Sequence, residues 1–217
     1  MTARRLWATP QKWSVPRLWN DEVCFIVCGG PSVTSADIEK IRGHKTIVIN
    51  SSYIICPWAD FLIFTDTRWW KLHHQRVRCG FGGKVVTITP VPRSPMNKGI
   101  HYVLDRQRSG GLSPDPARLA CWHTTVTSAV NLAVHLGART IGALGLDGCN
   151  AANGQNWHHA PHPMAWGRNV HRYKLHRDAL ASLTDPLRAL GRGLYRTNPQ
   201  SAHVDVPYMT IDGLLGC

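Results

Sequence analysis

The chain contains a series of short runs that are apolar at every position rather than at every second one. The first run is Val23 to Cys28. A strand with one face in water alternates apolar and polar residues, whereas a strand buried on both faces does not. Further runs lie at residues 45–50, 60–66, 84–89 and 139–146, and "GLYRTNP" from residue 193 supplies a last strand. The runs predict a mainly parallel sheet that is covered on both faces.

Helical patterns lie between these runs. The segment "ADIEKIRG" predicts a short helix that ends at Gly43, and residues 124–137 predict a longer one with Gly137 as its C-cap. Residues 166–190 form a third amphipathic segment. Strands that alternate with helices predict an α/β protein. We expect a single-domain, Rossmann-like fold over residues 1–217, with helices on both faces of the sheet.

One connection is rich in Pro, Gly, Ser and Arg and has no regular period. It spans residues 90–123, with a short strand predicted at "IHYVL". Connections of this length are often functional. We interpret this one as a long loop or lid.

Composition excludes several classes of protein. No apolar run approaches the roughly 18 residues that a membrane span needs. The N-terminus lacks the apolar core of a secretory signal, so we expect a cytoplasmic protein. The seven cysteines are scattered and include no Cys-x-x-Cys pair, which indicates neither a disulfide framework nor a zinc ribbon.

The formal net charge of +12 points to anionic partners such as nucleotides, nucleic acid or acidic glycans. Trp69 and Trp70 lie among basic residues, where aromatic rings can stack on bases or sugars. Packing in the core or at the face of a homo-oligomer is the favoured interpretation of this pair.

The first strand breaks into the turn "CGGPS". Gly29 and Gly30 let a backbone approach a phosphate closely, Pro31 presets entry into a helix, and Ser32 can bind an anion or cap that helix. The turn matches neither the dinucleotide fingerprint nor a P-loop. A purely structural turn is the alternative, because Gly and Pro are common after strands.

Other strand ends also carry polar residues. Because the carboxyl ends of parallel strands meet at one edge of the sheet, these residues are candidates for the same site. The strand ends contribute Asn50, Ser51, Asp66, Asp147 and Gly148, and the start of the predicted helix at residue 124 contributes Thr127 and Ser128. Caps and turn formers are the alternative interpretation.

Four segments in this order, "VCGGPSV", "VIN", "TSAVNLAVHLGARTIGALGLDG" and "YRTNPQS", resemble bacterial sialyltransferases of glycosyltransferase family 42. They are also similar to the related methanogen-type pterin pyrophosphokinase-like proteins, which share a Gly-Pro-Ser turn. The resemblance covers residues 23–215 except 69–123. It implies a nucleotide-sugar donor lying across the carboxyl edge of the sheet, with no catalytic metal and no cofactor besides this substrate.

The resemblance also assigns roles to individual residues. It implies that Gly30, Pro31 and Ser32 line the phosphate and sugar of the donor and that Asn50 contacts the donor. Ser128 would hold the nucleotide or a donor carboxylate. The segment near the base is matched by Asn198, Pro199 and Ser201.

The resemblance places the general base at His171, eight residues before Ala179. A histidine with a near-neutral pKa can take a proton from an acceptor hydroxyl. A rival cluster, formed by His158, His159 and His162, could supply the base or bind a metal, although no neighbouring Cys or carboxylate completes a tetrahedral set.

The leading hypothesis is a metal-independent glycosyltransferase that transfers a sugar to an anionic acceptor, a glycan or a nucleic acid. The second is a pyrophosphokinase or nucleotidyl-transfer enzyme, with Mg²⁺ held by Asp66 or Asp147. The third is a basic nucleic-acid-binding protein that has kept a nucleotide-binding fold without turnover.

Overall fold

The computed structural model of the chain describes residues 13–91, 97, 99–105, 110–150 and 170–216. The strands are β1 (Val23–Val27), β2 (Lys45–Ile49), β3 (Phe61–Phe64), β4 (Lys84–Thr87), β5 (Ile100–Tyr102), β6 (Leu104–Asp105), β7 (Arg118–Leu119), β8 (Thr140–Leu144) and β9 (Gly193–Arg196). The helices are α1 (Ser35–Lys40), α2 (Thr67–Gly80), α3 (Thr125–Leu136), α4 (Val170–Ala181), α5 (Thr184–Ala189) and α6 (Ile211–Leu215).

Seven strands form one parallel sheet in the order β5-β4-β3-β2-β1-β8-β9. The chain builds outward from β1 through β2, β3, β4 and β5, and then crosses to the other side of β1 to form β8 and β9. The order therefore reverses between β1 and β8. In open parallel sheets, ligands bind beyond the carboxyl ends of the strands at such a switch point.

The apolar strand positions divide between two layers of helices. Along β1, Cys24 and Ile26 face the core formed with α3, α4 and α5, whereas Phe25 and Val27 face the core formed with α1, α2 and α6. This covering of both faces explains why β1 is apolar throughout. The α/β, Rossmann-like fold expected from the sequence is confirmed.

Helix α2 was not expected from the sequence. Asp66 caps its first turn by accepting a hydrogen bond from the Arg68 N–H. Its inner side carries Trp69, Trp70 and Val77, all buried. Trp70 stacks on Phe64 with ring centroids 4.8 Å apart. The two tryptophans are thus core residues, as the favoured interpretation held.

Cys24, Cys28 and Cys56 are buried free thiols. Burial raises the pKa of Cys56 to about 12, against the opposing charge of Arg42. No helix within the described ranges combines the length and the apolar character that a bilayer span requires.

Gly137 ends α3 with φ +107°, and the segment before β1 packs directly onto it. A Cβ at this position would lie 2.0 Å from the Trp19 carbonyl oxygen. Gly43 has a similar φ of +86°, but nothing lies within 4 Å of its would-be Cβ. A substitution at Gly43 therefore tests conformational strain alone, whereas one at Gly137 tests strain together with close packing.

We predict that Gly43→Ala lowers the free energy of unfolding by about 1–2 kcal/mol, the cost of a left-handed backbone for an L-residue. Gly137→Ala should cost at least about 1 kcal/mol more, because the Trp19 backbone must also move. Urea unfolding followed by circular dichroism measures both. Equal losses in the two variants would contradict this account of Gly137.

Candidate functional site

The carboxylate of Asp147 joins three loops at the switch point. Asp147 follows β8 and is 4% exposed. One oxygen accepts a hydrogen bond from the Ser32 N–H (2.9 Å), and the other accepts from the Ser32 hydroxyl (2.6 Å) and from the Asn198 amide (2.9 Å). The loops after β1, β8 and β9 therefore meet at one buried negative charge.

The glycine of the turn after β1 serves this junction. The Gly30 N–H donates to the Gly145 carbonyl at 3.0 Å. A Cβ on Gly30 would lie 2.3 Å from that carbonyl oxygen and 2.5 Å from an Asp147 carboxylate oxygen. Both donors of Ser32, which the sequence assigned to a phosphate or to a helix cap, are directed to Asp147. Helix α1 is capped by Thr34 instead. Substitution of Gly30 therefore disturbs protein packing whether or not a ligand binds there.

A second connection runs between the loops after β8 and β9. The Ala202 N–H donates to the Asp147 carbonyl at 2.7 Å, and the Ser201 hydroxyl donates to the Leu146 carbonyl. The ring of His203 lies on Gly148, where a Cβ would approach His203 Nε2 to 2.7 Å. Gly148 has φ +67°. Its lack of a side chain therefore makes room for the imidazole.

His203 is a member of the site that the sequence gave no reason to select. It is 4% exposed, and its Nδ1 has no hydrogen-bond partner among the described residues. Burial, followed by the nearby His176 and Arg177, lowers its pKa to about 4, against the opposing effect of Asp147. The ring is therefore neutral at physiological pH. In the sequence, the feature that marks His203 is its position two residues after Ser201.

Asn50 begins a short 3₁₀-helix at the end of β2 and has φ +49°. Its side-chain oxygen is buried and has no hydrogen-bond partner within the part of the chain that the structure describes. A buried, unpaired amide oxygen costs about 1–3 kcal/mol. Such a group at the carboxyl edge is suited to receive a donor from a ligand.

Several hydroxyls that the sequence placed at the site are engaged inside the fold. Ser51 is fully buried and accepts a hydrogen bond from the Trp69 indole at 2.9 Å. Ser128 is also fully buried and donates to the Ala120 carbonyl at 3.0 Å. Thr127 is 1% exposed and donates to the Thr124 carbonyl at 2.8 Å. These bonds hold elements together, and we do not include the three residues in the proposed binding surface.

Asp66 lies at the carboxyl end of β3 and binds Arg68 through backbone and guanidinium groups. Burial alone would raise the pKa of Asp66, but the hydrogen bonds and charge of Arg68 lower it below its usual range. Pro31 is half-buried in the turn after β1, as are Gly29 and Gly30.

The histidine assigned as general base, His171, lies in the first turn of α4. Helices that follow strands of a parallel sheet begin at its carboxyl edge, which is the edge of the proposed site. His158, His159 and His162 lie outside the described residues. Within the described ranges, no group of three or more His, Cys, Asp or Glu side chains is arranged to hold a metal ion.

Comparison of the chain with models of protein families, with curated proteins and with solved structures finds no match. The assignment of function therefore depends on the residues and the geometry of the chain itself.

We predict that Ser32→Ala lowers the free energy of unfolding by about 1.5–3 kcal/mol, because a buried carboxylate loses a charge-assisted hydrogen bond. Ser35→Ala, on the exposed first turn of α1, is the matched control and should change stability by less than about 0.5 kcal/mol. Chemical denaturation at neutral pH makes the comparison. Indistinguishable variants would show that the Ser32 hydroxyl does not support Asp147.

A second prediction concerns acid. The pKa of His203 falls from the reference value of 6.5 to about 4 on folding, so below pH 6.5 the unfolded chain binds a proton that the folded chain excludes. Stability should fall between pH 6.5 and 4, with His203 contributing up to about 3 kcal/mol of the loss.

The His203→Gln variant should show a correspondingly shallower decline of unfolding free energy over this range. His44→Gln, at an exposed histidine, is the control and should follow the wild type. A His203→Gln decline as steep as that of the wild type would mean that His203 is not excluded from protonation in the fold.

Proposed function

We propose that the protein is a metal-independent glycosyltransferase that binds a nucleotide-activated sugar at the switch point between β1 and β8. The observation that carries this proposal is the convergence of Ser32, Asp147 and Asn198 in one hydrogen-bonded cluster there. The resemblance assigned Ser32 and Asn198 to binding of the nucleotide-sugar donor. Asp147 is the strand-end carboxylate selected from the sequence. Function resides in such a site rather than in the fold.

The cluster acts as the floor of the proposed site. Asp147 accepts the hydrogen bonds of both the Ser32 N–H and the Ser32 hydroxyl. Ser32 therefore fixes the shape of the turn and does not contact the nucleotide sugar. The Gly30 N–H is used by the Gly145 carbonyl, and Pro31 has no N–H. The ligand-facing groups are then the Gly29 end of the turn and the unpaired side-chain oxygen of Asn50. That oxygen can accept a hydrogen bond from a ribose or sugar hydroxyl, or from a base amino group. The net charge of +12 favours binding of an anionic donor and an anionic acceptor.

The magnesium-dependent alternative is less well supported by these contacts. The Asp66 carboxylate is taken up by Arg68, and the Asp147 carboxylate accepts three hydrogen bonds. A Mg²⁺ ion bound to either would have to compete with these donors for oxygen ligands. This hypothesis predicts transfer that requires Mg²⁺, whereas the proposed reaction persists in excess EDTA.

The nucleic-acid alternative loses its stacking surface. Trp69 and Trp70 are 3% and 5% exposed, so their rings are not available to bases. The remaining support for that alternative is the net charge, which binding of an anionic substrate explains equally well.

We predict that a panel of nucleotide sugars, based on uridine, guanosine, cytidine and adenosine, contains at least one that raises the melting temperature in excess EDTA. A ligand that binds only the folded state at 100 times its Kd adds about 2.7 kcal/mol of stability. For a chain of this size, that corresponds to a rise of about 5–10 °C.

Asn50→Gly removes the amide while glycine accepts the positive φ, and it should abolish the shift without unfolding the protein. Asp21→Gly is the control, because Asp21 also has a positive φ (+57°) but precedes β1 at the opposite edge of the sheet. A wild-type protein that responds to no nucleotide sugar would overturn the proposed function. An unchanged rise in melting temperature in Asn50→Gly would show that the ligand does not contact Asn50 at the end of β2.

A further inference from the structure

The backbone at His123 is strained. Its φ is +60°, a conformation that few residues other than glycine adopt. The Thr124 N–H donates to the Trp122 carbonyl at 2.7 Å, which closes a three-residue turn around His123. Three-residue turns with a positive central φ are rare and strained. Backbone strain of this kind persists only where the surrounding structure enforces it, and it concentrates at functional sites.

The buried hydroxyl of Thr127 holds this turn. The Thr127 hydroxyl contacts both of its ends, since it accepts a hydrogen bond from the Trp122 N–H at 3.1 Å and donates to the Thr124 carbonyl at 2.8 Å. Burial, followed by the charges of Arg172 and His123, lowers the pKa of His176 in α4.

The turn lies at the carboxyl edge of the sheet. Thr125 is two residues after His123, and its hydroxyl lies 2.7 Å from the Thr65 hydroxyl at the end of β3. Strand β3 neighbours β2 in the sheet, so the turn lies at the same edge as Asn50, which follows β2.

The imidazole of His123 is exposed, unlike those of His176 and His203. A turn that served only to start α3 would be formed with less strain by glycine. The chain instead keeps a titratable ring at this position and holds its backbone rigidly. A neutral imidazole presents one ring nitrogen with a free lone pair, which is what a general base requires.

We propose that His123, rather than His171, is the general base of the glycosyl transfer; this inference rests on the proposed function. The lone pair of an imidazole nitrogen takes the proton of the acceptor hydroxyl as the hydroxyl oxygen bonds to the anomeric carbon of the donor. The bond from that carbon to the phosphate oxygen breaks, and its electron pair leaves with the nucleotide. Thr127 positions the base through its backbone.

The experiment compares His123→Gly with His171→Gly, using the nucleotide sugar that gives the largest thermal shift with the wild-type protein. Release of the nucleotide, in hydrolysis or transfer, is measured with and without free imidazole in the buffer. His123→Gly should lower turnover by about 10²–10⁴-fold. Because glycine accepts the positive φ, the melting temperature should stay within about 3 °C of wild type. The donor-induced thermal shift should be retained.

Free imidazole should partly restore the turnover of His123→Gly, because it fills the space of the missing ring and supplies the same base. A purely structural role for His123 would not give this rescue. His171→Gly should keep turnover within a few-fold of wild type, which corresponds to a change of no more than about 1 kcal/mol in the free energy of the transition state.

Three results would overturn the assignment. Full turnover of His123→Gly would do so, as would loss of its turnover together with the donor shift and without imidazole rescue. Loss and rescue in His171→Gly alone would return the base to α4. A wild-type protein without a donor-induced shift would overturn the proposed function itself, and the role of His123 with it.

Discussion

The buried carboxylate of Asp147 is the interaction on which the arrangement of the site depends. A negative charge that is 4% exposed is tolerated only when hydrogen-bond donors surround it, and Ser32 and Asn198 provide three. Because these donors come from the loops after β1 and β9, the charge fixes the relative positions of three strand ends. The requirement for glycine at position 30 follows, since a side chain there would collide with the Gly145 carbonyl.

This constraint changes the interpretation of the Gly-Pro-Ser turn. As a sequence motif, the turn is a candidate phosphate cradle with a serine hydroxyl directed at the ligand. In the structure, the serine faces Asp147 and secures the turn to β8. The packing of the turn against the loop after β8 supports the structural interpretation, and binding of a donor phosphate beside the turn belongs to the proposed function.

Much of the fold could be predicted from the sequence because parallel strands buried on both faces carry a strong signal. The runs at β1, β2, β3, β4, β8 and β9 were all identified. Helix α2 was not, because the basic residues on its exposed side obscure the inner row of Trp69, Trp70 and Val77. The segment predicted as one helix over residues 166–190 contains α4 and α5, which are separated at residues 182 and 183. Pro186, in the first turn of α5, has no N–H to donate to the Ser182 carbonyl four residues earlier, so one continuous helix cannot form there. Strands of two residues, such as β6, are too short to form a pattern.

The site was predictable to a smaller extent. Topology alone brings Ser32, Asp147 and Asn198 to one edge, so their convergence could be anticipated. Hydrogen-bond partners could not, and Ser51 and Ser128 illustrate the difficulty: a serine at a strand end looks the same whether it faces a ligand or a buried indole or carbonyl. The positive φ of His123 and the unpaired Nδ1 of His203 could not be predicted, because both are properties of the folded chain.

The central claim is that the carboxyl edge between β1 and β8 is the ligand site. A crystal structure of the protein soaked with the nucleotide sugar that most raises its melting temperature tests this most directly. The account predicts a ligand beside residues 29–31, with a donor group within hydrogen-bond distance of the Asn50 side-chain oxygen. A ligand bound away from this edge, such as in the groove between β9 and α5 lined by Leu187, Arg188 and Leu194, would contradict it.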